Sequence, residues 1–440
     1  MDILFGYARC EITPKGSVTM GGYGAREGPS VGVHDSLYAK VLAFKSQDRE
    51  WVMSVLDLVG LNRSVVERLR KAVRDETGLP CGSLSLSCTH THSGPQTLEH
   101  PVPGMPPLAE EYLDQVASRL PETVRQAQNN LSPLRMRTAI GWVNRVAANR
   151  RRPPSSCQES EVSDDSDDSF MGVVKFNEVT LFNFACHPTV LGHGNRLISA
   201  DLFGAAQRSA ESATGAPCAF VQGAAGDLST RFTRREQSFA EVDRLGALLA
   251  EAGVALAARA KESATFHGLD RIERTLELPG KLLPDPDQAR QEVREGRQRL
   301  SALRGGGADA GTLRLAQTEL EGRIIEEALA SSGAEQYRLS HVSAVRIGAV
   351  ALVTVPGELF SALGRRIRER SPFPLTYILG YTDGHVGYLP GVKEYEAGGY
   401  EALASPLVPD AGDRVVEACV GLLESLKRNL NLREELAGDT

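Results

Sequence analysis

LSLSCTHTHSGP, residues 84 to 95, joins a short apolar run to two histidines. The first five residues are typical of a buried strand. His90 and His92 lie two positions apart, so both rings project to one face if the strand continues through them. Two imidazoles on one face suit a metal ion, although a lone His-x-His pair is a weak signal. The segment therefore predicts a buried strand that leads into a candidate metal site.

Other apolar runs rich in β-branched and aromatic residues predict further strands. These runs are WVMSVLDLV (51–59), MGVVKF (171–176), VTLFNFAC (179–186), CAFVQ (218–222), AVALVTV (349–355) and LTYIL (375–379). Between them, apolar residues recur at helical spacing over 62 to 77, before Gly78, and over 236 to 260. Strands interleaved with helices predict an α/β protein with a mixed sheet core flanked by helices.

Chemically useful residues directly follow several of these strands. His187 comes after VTLFNFAC, Glu358 follows AVALVTV, and Ser229 lies in GAAGDLST after CAFVQ. Because the carboxyl ends of neighbouring strands meet at one edge of an α/β sheet, these residues are expected to converge. Histidines with a glutamate are a known ligand set for catalytic zinc. Two structural alternatives stay open: His187 as a hydrogen-bonded core residue, and Ser229 or Asp227 as a helix N-cap, a role that the residues alone favour for Ser229 over that of a nucleophile.

The composition is that of an ordinary globular protein of 440 residues, with 41% hydrophobic and 24% charged residues. A net charge of −7 carries no electrostatic signature of nucleic-acid binding, so a small-molecule substrate is expected. The N-terminus lacks a signal-peptide pattern, and no apolar run is long enough for a transmembrane segment. Seven scattered cysteines without a CxxC pair indicate neither a disulfide framework nor a cysteine zinc site. A cytoplasmic protein is predicted, with its oligomeric state left open.

Two segments interrupt the α/β pattern. Residues 155 to 169 are acidic and rich in serine, without periodic apolar residues, and predict a surface loop. From 283 to 332, two charged helical patterns flank RGGGADAG (304–311), as in an antiparallel helical hairpin. The chain is therefore predicted to be one catalytic domain, 1–440, with an inserted helical hairpin at 283–332.

Several longer motifs follow one another along most of the chain. They are GVHDSLYAKVLAF (32–44), CTHTHSGP (88–95), FACHPT (184–189), GAAGDLS (223–229), VPGELF (355–360) and GYLPGVKEYEAGGYEA (387–402). Their order resembles that of the neutral/alkaline non-lysosomal ceramidase family, zinc amidases that split the amide of N-acyl sphingosine. Unlike the family's ceramidases, the chain is expected to have neither a signal peptide nor a C-terminal immunoglobulin-like domain. It resembles a catalytic-domain-only, ceramidase-like protein that acts on ceramide or on a smaller, more soluble amide.

The resemblance implies a metal site and a set of catalytic residues. The implied Zn²⁺ ligands are His90, His187, Glu358 and Tyr388. The implied catalytic residues are His92, Ser229, Tyr400 and Arg150, with Arg145 as the alternative to Arg150. In these roles His92 lies near the scissile amide and Tyr400 donates a hydrogen bond to the oxyanion. The proline that usually follows the family's serine is Thr230 here, so water activated by zinc is the expected nucleophile.

Other carboxylates and histidines are expected to support the site or the fold. Asp57 and Asp201 are expected to orient metal-bound histidines. The remaining histidines are expected to be structural or solvated, namely His34, His100, His193, His267, His341 and His385.

The sequence thus predicts a zinc-dependent hydrolase that cleaves a linear amide by metal-activated water, with sphingolipid metabolism as one setting. The substrate is expected to be an N-acyl amide, either ceramide-like or smaller. Two alternatives stay open: a zinc ester or peptide hydrolase, and a non-catalytic binding protein stabilised by zinc. The surroundings of the metal discriminate among substrates, because a deep apolar channel favours lipid amides whereas charged groups favour amino-acid or sugar amides.

Overall fold

A computed structural model describes residues 3–47, 49–99, 107–151, 169–262, 268–333 and 337–438. The predicted surface loop at 155 to 169 lies outside these ranges except for Ser169, and His100 and His267 also lie outside them. Among the helices in these ranges, none combines the length and the apolar character needed to cross a lipid bilayer.

The described residues form twenty strands and ten α-helices. The strands are β1 (Leu4–Glu11), β2 (Gly32–Val33), β3 (Tyr38–Ser46), β4 (Arg49–Leu56), β5 (Leu84–Cys88), β6 (Ser132–Pro133), β7 (Met136–Trp142), β8 (Ala148–Asn149), β9 (Phe170–Phe176), β10 (Val179–Phe184), β11 (Leu197–Ile198), β12 (Cys218–Gln222), β13 (Leu228–Ser229), β14 (Lys261–Glu262), β15 (Leu269–Pro279), β16 (Tyr337–Ile347), β17 (Val350–Thr354), β18 (Glu358–Leu359), β19 (Leu375–Leu379) and β20 (Tyr388–Leu389). The helices are α1 (Arg63–Thr77), α2 (Glu110–Asn129), α3 (Asp201–Thr214), α4 (Phe239–Ala258), α5 (Pro286–Gly305), α6 (Ala310–Ser332), α7 (Ser361–Arg370), α8 (Val392–Glu396), α9 (Tyr400–Ala404) and α10 (Ala411–Gly438).

Most of the longer strands lie in three mixed sheets, of order β5-β4-β3-β1-β6, β12-β10-β9-β7-β14 and β15-β16-β17-β19. Each sheet contains one parallel pair, namely β4 with β5, β10 with β12, and β17 with β19. One apolar core is shared by all three sheets and includes Phe44, Val221 and Leu352. The predicted fold class, mixed sheets flanked by helices, is confirmed, and the sheet core is divided into three.

Helices pack against each sheet and bury one apolar face. In the first sheet α2 lies against β1 and β3 and also packs on α1. Helix α1 buries Val65, Leu69 and Val73 at helical spacing and ends at Gly78, whose φ of 75° is left-handed. Helices α3 and α4 pack against the second sheet, and α7 and α10 pack against the third.

Helices α5 and α6, joined by a short turn, pack against each other around a small apolar core. The buried members of this core are Val293, Leu300, Ala316 and Leu320. Helix α6 also packs on the short helix α9, where a Cβ added at Gly322 would lie 3.4 Å from the Cα of Tyr400. Beside this contact, Lys281 Nζ donates to Glu326 at 3.0 Å and to the Leu403 carbonyl at 2.7 Å. The helix pair thus rests on the element that carries Tyr400.

Candidate active site

The backbone turns sharply after β5, and a neighbouring turn holds it in place. Thr89 N donates to the Leu56 carbonyl and His90 N donates to the Leu58 carbonyl, both at 2.9 Å. His90 has a φ of 67°, a left-handed conformation that does not occur within a regular strand. The strand therefore ends at Cys88 and does not continue through THTH, which was the condition for both rings to project from one strand face. His90 and His92 nevertheless face each other, with their Nε2 atoms 3.1 Å apart.

Main-chain carbonyl groups hold the two most deeply buried histidines of the site, His90 and His187. The Nδ1 atom of His90 donates to the Val59 carbonyl. The Nδ1 atom of His187 donates to the carbonyls of Ala225 at 2.7 Å and Leu228 at 3.1 Å. Because a carbonyl oxygen only accepts hydrogen bonds, each Nδ1 carries the ring hydrogen and each Nε2 presents a lone pair. Both rings are thereby oriented as ligands that bind through Nε2.

Asp57 and Asp201, which were expected to orient the candidate metal-binding histidines, contact other groups. Asp57 pairs with Lys40, whose Nζ lies 2.8 Å from both carboxylate oxygens. Asp201 accepts hydrogen bonds from the N–H groups of Val190 and Leu191. The prediction that aspartates orient the candidate metal-binding histidines is therefore wrong, because main-chain carbonyls occupy those positions.

Glu358 faces the same point from β18. Its Oε2 atom lies 3.0 Å from His187 Nε2 and 3.8 Å from His90 Nε2. The Tyr381 hydroxyl donates to Oε2 at 3.3 Å, and His385 Nε2 lies 3.3 Å from Oε1. Sequence reasoning missed both residues: Tyr381 was not singled out, and His385 was expected to be structural or solvated. Their segment, GYTDGHVGY, follows a predicted strand, and that position was the available signal.

The chemistry of these donors fits a metal ion. Burial lowers the pKa of His90 to about 3 and also lowers the pKa of His187, so both rings are neutral near pH 7. Burial acts to raise the pKa of Glu358, but the hydrogen bond from His385 and the other polar groups around the carboxylate hold it well below its usual range. The lone pair of His187 Nε2 therefore faces an ionised carboxylate oxygen, a repulsive contact that a shared cation relieves. Ring nitrogens of His90, His92 and His187 all lie within 4.8 Å of one another, close enough to share a metal.

His92 lies at the less buried side of this group. Its Nδ1 atom is buried without a hydrogen-bond partner among the described residues. The ring packs edge-on against Tyr23, with centroids 5.0 Å apart, and a Cβ at Gly22 would lie 2.5 Å from its Cγ. Gly22 also has a φ of 90°, which favours glycine. Burial lowers the pKa of His92 well below its usual range, so the ring is neutral near pH 7 and presents a lone pair on one of its nitrogens.

A second group of polar side chains adjoins Glu358. Glu358 and Tyr388 are paired residues on the parallel strands β18 and β20. Arg150 donates to the Tyr388 hydroxyl at 3.2 Å and to Glu401 at 2.8 Å. The rings of Tyr388 and Tyr400 lie 5.7 Å apart, edge to face. Burial and the charge of Glu358 raise the pKa of Tyr388 well above its usual range, and the guanidinium of Arg150 opposes that rise.

Ser229 lies beside His187, and the two residues form a parallel β-bridge. Its side chain is buried, and its Oγ accepts a hydrogen bond from Arg231 N at 3.2 Å. The next helix of the described residues, α4, begins ten positions later and has Ser238 as its N-cap. The N-cap alternative for Ser229 is therefore wrong.

The residues implied by the resemblance fall into two adjoining groups. The first group contains His90, His92, His187 and Glu358, with Ser229 beside it. The second group contains Arg150, Tyr388 and Tyr400. Arg145 is exposed, whereas Arg150 donates a hydrogen bond to the hydroxyl of Tyr388, one of the candidate ligands.

A family model and two solved structures resemble this chain. The family described as neutral/alkaline non-lysosomal ceramidase, N-terminal, matches residues 3–237, just over half of the 440 residues. The neutral ceramidase from Pseudomonas aeruginosa superposes with a TM-score of 0.77 at 22% identity, covering 98% of this chain and 75% of that chain. A ceramidase complexed with C2 gives a TM-score of 0.75 at 17% identity, covering 98% of this chain and 76% of the other.

A search of curated proteins found no match to the chain. At the identities above, the two solved structures show a shared fold. Family and fold together support a hydrolase, and the three clustered histidines are able to hold a metal. By the match to residues 3–237, the chain belongs to the neutral/alkaline non-lysosomal ceramidase family.

Proposed function

We propose that the chain is a zinc-dependent hydrolase that cleaves a linear N-acyl amide, with Zn²⁺ held by His90, His187, Glu358 and Tyr388. The observation that carries this proposal is the pair of main-chain contacts that aim the Nε2 lone pairs of His90 and His187 at the carboxylate of Glu358. Imidazole nitrogens with a carboxylate are typical ligands of catalytic zinc. Tyr388 completes the set as the residue paired with Glu358 across β18 and β20.

When bound, Zn²⁺ supplies a Lewis acid that polarises the scissile carbonyl and lowers the pKa of water. The side chains of the protein supply the other functions. His92, whose buried Nδ1 atom has no hydrogen-bond partner among the described residues, accepts the proton of the attacking water and returns it to the leaving amine. Tyr400 donates a hydrogen bond to the developing oxyanion, and Ser229 orients the amide. Arg150 fixes the direction of the Tyr388 hydroxyl.

The proposal treats 1–440 as one catalytic domain in a cytoplasmic protein, with 283–332 as an insertion within that domain. Two observations support this division. The candidate ligands come from segments that follow strands of all three sheets, and these sheets share a core. Helices α5 and α6 have a separate small core and rest on α9.

Metal content and amide cleavage, measured together, test the proposal. Metal is determined by mass spectrometry on the wild type, on His187→Ala, and on His193→Ala as a control at an exposed histidine. The same proteins are assayed against N-acyl amides that include a short-chain ceramide. We expect about one zinc per chain and amide cleavage in the wild type and in His193→Ala, and loss of both in His187→Ala.

Carefully prepared wild-type protein without zinc would refute the metal site. Bound zinc without turnover of any amide would refute amide hydrolysis. Esters and peptides are therefore included in the same panel. Cleavage of one of them would indicate an ester or peptide hydrolase, and cleavage of none would indicate a non-catalytic binding protein.

A further inference from the structure

The short helix α9 carries Tyr400 and contacts both β20 and α6. It has only five residues, Tyr400–Ala404. A helix of that length does not hold its shape in water by itself, because too few main-chain hydrogen bonds offset the ordering of its residues. The position of α9 therefore depends on the parts of the protein that pack against it.

One side of α9 is tied to the candidate active site. The ring of Tyr400 lies 5.7 Å from that of Tyr388. Glu401 accepts a hydrogen bond from Arg150 at 2.8 Å, and Arg150 also donates to the Tyr388 hydroxyl. Directly after the helix, Ser405 Oγ donates to the Tyr388 carbonyl at 2.9 Å. A shift of α9 would therefore move Tyr400 relative to the rest of the site.

Lys281 holds the other end of α9. Its Nζ atom donates to the carbonyls of Ala402 at 3.3 Å and Leu403 at 2.7 Å. Carbonyls in the last turn of a helix have no partner within the helix, and a cation beside them also interacts favourably with the helix dipole. The same Nζ atom donates to Glu326 of α6 at 3.0 Å, and only 5% of the Lys281 side chain is exposed. Lys281 thus joins the C-terminal end of α9 to α6 in place of water.

Close packing sets the distance between α6 and α9. A Cβ added at Gly322 of α6 would lie 2.9 Å from Leu403 Cδ1, 3.0 Å from Leu403 Cβ and 3.4 Å from the Cα of Tyr400. The two distances to Leu403 are shorter than ordinary van der Waals contact, so a side chain at this position would push the two helices apart. Beside this contact, the main-chain N–H of Lys281 donates to the Pro406 carbonyl at 3.0 Å. The helix pair α5–α6 is therefore packed directly against the main chain that carries Tyr400.

We propose that the helix pair α5–α6 positions Tyr400, and that Lys281 is the positioning residue that joins this pair to α9. The inference rests on the proposed function, in which Tyr400 donates a hydrogen bond to the oxyanion of an amide undergoing hydrolysis. Such a donor is effective only at about 3 Å from the oxyanion, so a small shift of α9 reduces its effect. Lys281 acts through Tyr400 and not on the substrate. The insertion at 283–332 thereby has a role in catalysis.

A double-mutant cycle between Lys281 and Tyr400, on the zinc-loaded full chain, tests the inference. Lys281→Met keeps a side chain of similar length and should lower kcat about tenfold with KM unchanged, because the oxyanion forms only after the substrate has bound. Tyr400→Phe should lower kcat about a hundredfold or more. In the Tyr400→Phe background, Lys281→Met should change kcat by less than about twofold. Lys71→Met, which removes an exposed lysine of α1, should leave kcat unchanged.

Gly322→Ala is a second variant, which leaves the buried ion pair intact. Alanine favours a helix more than glycine does, so the variant is expected to fold. The new Cβ should displace α9 and lower kcat, and this effect should also disappear in the Tyr400→Phe background. Gly305→Ala on α5 is the matched control, because its added Cβ would meet open space. Wild-type kcat in Gly322→Ala would overturn the role of this packing contact.

Amide hydrogen exchange gives a readout that requires neither zinc nor turnover. The N–H groups of Leu403 and Ser405 form main-chain hydrogen bonds of 3.1 and 3.0 Å in α9, so they exchange slowly while the helix is held in place. Exchange over residues 399–405 should be faster in Lys281→Met than in the wild type, and unchanged in Lys71→Met. Equal exchange in the wild type and Lys281→Met would overturn the proposed connection.

The results separate this inference from the proposed function. If amides are cleaved but Lys281→Met lowers kcat equally with and without the Tyr400 hydroxyl, positioning of Tyr400 is overturned while amide hydrolysis stands. Loss of zinc from Lys281→Met would also overturn it, because the disturbance would then have reached the metal ligands. If zinc-loaded wild-type protein cleaves no amide, the proposed function fails and the catalytic role of Lys281 fails with it. Faster exchange over 399–405 in Lys281→Met would then support only its connection to α9.

Discussion

Replacing Lys40 by methionine should destabilise the protein strongly, because it leaves a buried carboxylate without its cation. Lys40 and Asp57 are each only 1% exposed, and the ammonium lies 2.8 Å from both carboxylate oxygens. Removing one partner of a buried ion pair costs about 3–5 kcal/mol. Asp57 keeps a main-chain N–H of Tyr38 at 2.9 Å and the hydroxyl of Thr89 at 3.3 Å. We therefore expect Lys40→Met to lower the free energy of unfolding by about 3 kcal/mol.

Urea unfolding at fixed chelator concentration measures this loss. Lys71→Met is the matched control, because the Lys71–Asp75 pair on α1 is exposed to solvent, and exposed ion pairs contribute little to stability. The double variant Lys40→Met/Asp57→Leu removes both charges and should recover about half of the loss or more. A Lys40→Met protein within about 1 kcal/mol of the wild type would refute the reasoning, and so would a double variant as unstable as the single one.

The same substitution should also weaken zinc binding. Asp57 lies in the turn after β4. The last carbonyl of β4 accepts from Thr89 N, and two carbonyls of the turn accept from the main chain and the ring of His90. Loosening this turn frees His90 to leave the orientation in which its Nε2 faces Glu358. Zinc affinity measured by competition with a chelating dye should therefore fall for Lys40→Met and stay unchanged for Lys71→Met.

Three further predictions concern the site itself. Zinc at about a hundred times its Kd should stabilise the wild type by about 2.7 kcal/mol and raise its Tm, whereas Glu358→Gln should show little response; an equal response in calorimetry would exclude Glu358 as a ligand. Gly22→Ala should lower activity and cost about 1–3 kcal/mol in chemical unfolding, because φ is 90° and the new Cβ meets His92, while Gly16→Ala, with open space around it, should be neutral. Tyr381→Phe removes the hydroxyl that lies 3.3 Å from Glu358 Oε2 and should weaken zinc binding measurably with little change in stability; unchanged affinity would make that hydrogen bond irrelevant to the metal.

The α/β pattern and the ends of several strands could be predicted from the sequence, because buried strands occur in it as short apolar runs. The predicted run LSLSC coincides with β5, and the helix expected before Gly78 is α1. The long strands β15 and β16 were missed. They pair over eleven residues, but β15 is only partly buried and carries five charged residues, which weaken the apolar signal.

Only part of the candidate site could be predicted from the sequence. Side chains that follow apolar strands were found, but the groups that orient them are main-chain carbonyls of Val59, Ala225 and Leu228, which no residue type marks. The turn at His90 was missed because a positive φ at a non-glycine residue depends on the neighbouring turn rather than on local sequence. Tyr388 was identified as a candidate metal ligand only through the resemblance to the ceramidase family, because the spacing of tyrosines alone does not indicate a metal ligand.

The candidate ligands are far apart along the chain, and this has a consequence for folding kinetics. His90, His187, Glu358 and Tyr388 belong to segments that meet only when all three sheets have docked. Contacts of such high sequence separation carry a large loop-closure entropy and form late. Neither half of the chain contains the complete ligand set, because the histidines precede residue 200 and the other two ligands follow residue 350. Acquisition of zinc would therefore report completion of the tertiary structure, and refolding followed by metal uptake should lag behind the recovery of secondary structure.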